Sequence, residues 1–236
     1  MSGLMDKVVI VTGGGGGLGL VIARQFLQAG SKVVVCDINR EALDEARKEL
    51  RAHGTVRTLI ADVSVAQQVE ELLVFAIEQF GRLDVLVNNA AILDRFNPVG
   101  RCDTEIWDRV MAVNLTGPFL CSSAAVRQWE KQGSNGVIVN IGSVAGQAGH
   151  RAGAAYTASK HGLVGLTKNT ATSYYGKHRC NIITPGGLNT NLLTPLGNDI
   201  DIVGHQIVKN TMTNLCSVED VAKVNRDTML DAKVYS

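Results

Sequence analysis

An α/β fold built on a doubly wound parallel sheet is predicted by three observations. Short β-branched runs alternate along the chain with segments whose apolar residues recur at helical spacing. The first run passes straight into five consecutive glycines and then into a helical pattern. Later runs end in polar side chains, at the carboxyl ends where open parallel sheets bind ligands. Such alternation implies right-handed crossovers and helices on both sheet faces. A chain of 236 residues, 45% hydrophobic, can bury one core. Residues 1–236 are therefore expected to form a single domain.

Strands are expected near 7–12, 33–36, 56–61, 84–87, 137–141 and 180–183, and helices near 18–29, 40–53, 66–80, 103–132, 153–175 and 218–230. The first strand, Lys7-Val8-Val9-Ile10-Val11-Thr12, enters Gly13-Gly14-Gly15-Gly16-Gly17-Leu18-Gly19, after which Leu18, Val21, Ile22, Phe26 and Ala29 share a helix face. Backbone without side chains at a helix N-terminus offers N–H groups and the positive dipole end. That suits a pyrophosphate lying over Gly13, Gly17, Leu18 and Gly19. No Gly-Lys-Ser/Thr follows the turn, which excludes a P-loop.

The second strand ends in Asp37, about twenty residues beyond the glycine turn, where a carboxylate can accept ribose hydroxyls and repel a 2′-phosphate. Capping of the next helix is the competing use of Asp37, and Arg40 is the nearby cation. NAD is thus favoured over NADP. In the helix at 66–80, Val69, Leu72, Leu73, Ala76 and Phe80 oppose Gln67, Glu70, Glu71 and Glu78. The fifth strand closes at Ser143, whose hydroxyl is free to hold a carbonyl oxygen.

The next helix carries Tyr156-Thr157-Ala158-Ser159-Lys160, thirteen residues beyond Ser143. Tyr and Lys four apart share a helix face. At about 4 Å and an effective dielectric of roughly 20, the ammonium would stabilise a phenolate by about 4 kcal/mol before desolvation is counted. That is about three pK units, enough to bring Tyr156 near neutrality for acid–base work. An exposed Lys beside a half-buried Tyr is the structural alternative. Residues 184–214 have the weakest periodicity, and a segment of that length suggests a functional loop.

Net charge is +1 without a basic run, which indicates neither nucleic acid nor an acidic membrane surface and leaves a small-molecule substrate. No apolar stretch reaches membrane-spanning length and the N-terminus lacks signal-peptide regions, so a cytoplasmic location is expected. Five cysteines without Cys-x-x-Cys spacing argue against a disulfide framework or a zinc site. His53, His150, His161, His178 and His205 form no metal spacing, and no metal is expected. His150, between Ser143 and Tyr156, reads as a solvated loop histidine before a pocket residue. Asn114-Leu115-Thr116 matches a glycosylation pattern but falls in an expected helix of a cytosolic chain.

Thr12-Gly13-x-x-x-Gly17-x-Gly19, Asn88-Asn89-Ala90, Asn114, Ser143, Tyr156-x-x-x-Lys160 and Pro185-Gly186 together resemble the classical short-chain dehydrogenases/reductases, in order and over nearly the whole chain. The resemblance implies a single Rossmann-like domain, a nicotinamide cofactor and an Asn114-Ser143-Tyr156-Lys160 catalytic set. Tyr156 would take the alcohol proton while hydride leaves for the nicotinamide, with Ser143 orienting the substrate oxygen. Lys160 would bind the nicotinamide ribose, and Asn114 a water linking Lys160 to solvent. A helix kink at Asn114 is compatible with that relay.

The resemblance further implies that Asp62 and Val63 contact adenine. Asn89 and Ala90 would lie on the cofactor side, with Ala91 where the family usually has Gly. Pro185 and Gly186 would bind the cofactor, with Thr190 at the nicotinamide carboxamide. Helices 103–132 and 153–175 commonly form a dimer face in such proteins, implying a homodimer or homotetramer. Family chains usually continue into a final strand, whereas this one stops at Asp231-Ala232-Lys233-Val234-Tyr235-Ser236, so the last strand is expected to be missing. The activity implied is an NAD(H)-dependent interconversion of a small secondary alcohol and its ketone. A non-catalytic NAD-binding regulator is countered by the intact catalytic set. A sugar-nucleotide epimerase or dehydratase is countered by the lack of a long C-terminal substrate domain.

Overall fold

Stiff β-branched side chains favour extended backbone, and six such runs form the sheet: Val8–Thr12 (β1), Lys32–Asp37 (β2), Val56–Ile60 (β3), Val85–Asn88 (β4), Val137–Ile141 (β5) and Arg179–Ile183 (β6). The computed structural model describes residues 3–188, 200–211 and 215–228. The strands run parallel in the order β3-β2-β1-β4-β5-β6. The order reverses between β1 and β4, which opens a crevice at their carboxyl ends.

Alternating strand residues feed two cores. Val9, Val11, Val33, Val35, Val85 and Val87 pack against Gly17–Gln28 (α1), Arg40–Leu50 (α2) and, near the C-terminus, Val218–Thr228 (α8). Ile10, Val34, Cys36, Leu86 and Ile138 pack on the other face against Ala66–Phe80 (α3) and Gly117–Gln132 (α5). Local chemistry sets several helix ends. Asn39 caps α2 by accepting the Ala42 N–H at 3.0 Å. Gly81, at φ +77°, stops α3 in the left-handed conformation that glycine adopts without cost.

The helix expected over 103–132 is a run of three parts: Thr104–Met111 (α4), a wide π turn over Ala112–Thr116, and α5. The Gly117 N–H reaches back five residues to the Ala112 carbonyl. The inserted turn rotates the following face, and it carries Asn114. After β5, Ala154–Ser173 (α6) crosses to β6. Asn88 on β4 donates to Asn140 on β5 at 2.8 Å and to Ser122 on α5 at 3.1 Å, and Asn140 donates to Thr167 on α6 at 2.8 Å. All four side chains are buried, and apart from Asn88 Oδ1 their polar atoms are paired as burial demands. This network fixes α5 and α6 over the sheet.

Residues 184–214, read as loop, contain a helix, Ile202–Thr211 (α7), and a two-residue strand Gly187–Leu188 (β7) paired with Leu215–Cys216 (β8). Periodicity misses α7 because its apolar residues do not face a core: Ile202, Val203 and Ile207 are exposed while Val208 is buried. Its start is set by Asp201, whose carboxylate accepts the Gly204 N–H at 2.8 Å. Thr190 and the chain end fall outside the described residues.

Candidate active site

The glycine turn is built for close approach. Gly13 and Gly17 have φ of +63° and +52°. A Cβ at Gly19 would fall 2.3 Å from the Gly13 carbonyl oxygen and 2.5 Å from Asn89 Nδ2. Asn89 donates from Nδ2 to the Thr12 and Gly13 carbonyls, both at 2.9 Å. Thr12 Oγ1 accepts the N–H groups of Asn89 at 3.0 Å and Ala90 at 3.1 Å. The side chain of Asn89 therefore braces the turn from within. Thr12, the last strand residue and the first of the glycine motif, is the post on which the β1 and β4 ends meet.

Asp37 ends β2 beside that turn. Its Oδ2 accepts the Gly15 N–H at 3.0 Å and its Oδ1 the Asn39 N–H at 3.0 Å. The carboxylate thus both supports the entry to α2 and faces the glycine loop. Asp62 accepts from Ser64 Oγ at 2.6 Å and from Arg109 of α4 at 3.1 Å. Burial raises its carboxyl, but the bonds from Ser64 and Arg109 outweigh that and hold it below the usual range. Val63 is buried against Gly117, at the π turn.

At the end of β5, Ser143 Oγ accepts the Ala145 N–H at 3.1 Å, and its hydroxyl faces the Tyr156 phenol closely enough to lower it. Gly146 lets α6 come close, since a Cβ there would lie 2.8 Å from the Lys160 carbonyl oxygen. Tyr156 and Lys160 are both buried on α6. The Lys160 ammonium donates to the Ile141 carbonyl at 2.8 Å and stands 5.5 Å from the centre of the Tyr156 ring. Asn114, fully buried, donates to the Ile92 carbonyl at 2.9 Å and accepts the Ile92 N–H at 2.9 Å, and it also donates to Ser159 at 3.2 Å. Ser143, Tyr156 and Lys160 come together, with Asn114 one residue away through Ser159. The Val144 N–H donates to the Pro185 carbonyl at 2.9 Å, which brings Pro185 and Gly186 alongside.

One expectation is corrected. Tyr156 is not near neutrality with the protein's own groups around it: burial pushes its phenol up to about 12, the Ser143 hydroxyl lowers it and the Asp94 charge raises it further. Lys160 is drawn down to about 8 by burial. Attraction between ammonium and phenolate alone would lower the phenol. The protein instead buries both groups and spends the ammonium on a backbone carbonyl, so desolvation wins.

The turn also passes a test of fit for a dinucleotide. Side chains are excluded where a pyrophosphate would lie, and the α1 N-terminus offers N–H groups that no helix carbonyl can reach. Known proteins resemble this chain over most of its length. The family model described as short chain dehydrogenase matches residues 7–201. A short-chain dehydrogenase/reductase of Colletotrichum higginsianum is 45% identical over 231 residues, 94% of this chain and 86% of that protein. The crystal structure of levodione reductase superposes with a TM-score of 0.85 at 32% identity, covering 96% of this chain and 91% of that one. An actinorhodin polyketide ketoreductase with NADPH gives 0.84 at 28% identity, covering 97% and 92%.

Proposed function

Because this chain belongs to the short-chain dehydrogenase family, oxidoreductases that act on CH–OH with a nicotinamide dinucleotide, we propose that it interconverts a small secondary alcohol and its ketone with NAD(H), using Tyr156 as acid and base. The observation that carries this reading is the meeting of Ser143, Tyr156 and Lys160 beside a side-chain-free turn. The nicotinamide, when bound, supplies or accepts the hydride. The chain's own groups handle the rest: Ser143 holds the substrate oxygen and Tyr156 exchanges a proton with it. Lys160 provides fixed positive charge near the ribose position, and Asn114 braces the Ile92 backbone beside α6.

A phenol held well above neutrality carries its proton at pH 7, so donation to a ketone is the direction it is prepared for. Alcohol oxidation requires the phenol to lose that proton first and should accelerate as pH rises. Gly13, Gly17, Leu18, Gly19, Asp62, Val63, Asn89, Ala90, Pro185, Gly186 and Thr190 would line the cofactor, and residues 184–214 would select the substrate.

Asp37 supports NAD over NADP. Lost charge-assisted bonds and repulsion of a phosphate could separate the two by about 3 kcal/mol, on the order of a hundredfold in kcat/KM. The reading extends to a cytoplasmic homodimer or homotetramer; among the described residues no helix is long and apolar enough to cross a membrane. Assaying secondary alcohols and ketones with both dinucleotides tests it. Turnover with NAD(H) preferred is expected. Dinucleotide binding without turnover on any substrate would favour the regulator, and preference for NADP would remove Asp37 from the ribose.

A further inference from the structure

Asp94, in the connection after β4, is fully buried and belongs to no motif. Its Oδ1 accepts the N–H groups of Phe96 at 3.1 Å and Gly153 at 3.2 Å, and its Oδ2 accepts the Tyr156 N–H at 2.9 Å. Asn97, three residues on, accepts the Ala154 N–H on its carbonyl at 2.9 Å. Helix α6 has no side-chain cap of its own and no acidic residue in its first turn. Its orphan N–H groups are therefore satisfied from a loop some sixty residues earlier in the chain. The fit is tight, since a Cβ on Gly153 would lie 2.5 Å from Asp94 Oδ2.

We propose that Asp94 is a positioning residue for the proton-transfer centre: its carboxylate fixes the turn of α6 that carries Tyr156 and places a negative charge at that turn. This rests on the reading of Tyr156 as acid and base. Among the described residues Asp94 forms no ion pair; burial raises its carboxyl, while the N–H groups of Tyr156, Phe96, Gly153 and Ala155 act to keep it charged. The ionisable groups facing it are Tyr156 on α6 and Cys102 on its own loop; both are hindered from ionising by burial first and by the Asp94 charge as well. Lys160, one turn further along α6, is committed to the Ile141 carbonyl from β5. A like charge raises the phenol, so removing it should lower the phenol.

The test is Asp94→Asn, with Asp94→Ser as a second neutral variant, each checked for folding by circular dichroism. The pH profile of kcat/KM for alcohol oxidation should move to lower pH by roughly half a unit to one unit. A purely structural role would lower kcat and leave the profile in place. Fluorotyrosine-labelled protein gives a readout independent of turnover: the Tyr156 resonance, identified by its loss in Tyr156→Phe, should titrate at lower pH in the variants. Unmoved titration in folded variants overturns the proposal, as does failure of both variants to fold, which would assign Asp94 to stability alone. If the wild type has no activity, the oxidoreductase reading fails while the resonance still decides the role of Asp94.

Discussion

Tyr156 is where this chain departs most from its surroundings, since a phenol carrying the proposed chemistry sits buried with a lysine whose ammonium faces a carbonyl. Tyr156→Phe keeps the packing and loses the proton. It should cut turnover at least a hundredfold, since general acid–base catalysis typically contributes about 10²–10⁴-fold, while cofactor affinity measured by fluorescence titration stays within a few fold. Lys160 gives a stability prediction with a definite sign. Its folded pKa, about 8, lies below the value of 10.5 for a free lysine, so stability is greatest above the latter and declines as pH falls toward the former. Tyr156, raised from 10 to about 12, acts oppositely, its contribution being lost as pH climbs through that interval. Lys160→Met should therefore abolish the decline between pH 10.5 and 8 and raise the melting temperature at pH 7 while removing activity. A variant less stable than wild type at pH 7 would mean that the bond to Ile141 outweighs the burial of charge.

Thr12 and the π turn matter at the scale of elements, because they set where β1, β4 and α5 stand relative to one another. Thr12→Val leaves two N–H groups at the end of β4 without their acceptor. Each unsatisfied buried group costs about 1–3 kcal/mol. Chemical denaturation should register a loss in that range or above, together with weaker dinucleotide binding; an unchanged dissociation constant would show that the brace does not shape the turn. On the second strand, Asp37→Ala should narrow the NAD preference, and kinetics with both dinucleotides check this. Sequence patterns located six strands within a residue or two, because β-branched runs between turns leave few alternatives. They allowed a kink at Asn114 without resolving it as the π turn at Ala112–Thr116, whose extra residue shifts the phase of the apolar pattern without ending it. They missed α7 because Ile202, Val203 and Ile207 face outward.

Across the whole molecule, the residues legible in the sequence were those tied to local spacing: the glycine turn, and Tyr156 with Lys160 on one helix face. What could not be read were contacts closed over long separations. Asp94 reaches α6 across about sixty residues, and Asn89 holds Gly13 across more than seventy. No period joins such pairs. The burial that reverses the expected shift of Tyr156 is likewise a product of the assembled fold, in which α6 is pressed onto Gly146 and β5. The proposed function requires above all that hydride pass at a centre served by Tyr156. It is tested most directly by incubating wild type and Tyr156→Phe with NAD and secondary alcohols deuterated at the carbinol carbon, and following the label by mass spectrometry of the recovered dinucleotide. Deuterium on the nicotinamide ring with wild type, and at most a hundredth as much with Tyr156→Phe in the same time, is the predicted result; a dinucleotide that binds wild type yet stays unlabelled, or equal labelling by both proteins, would contradict it.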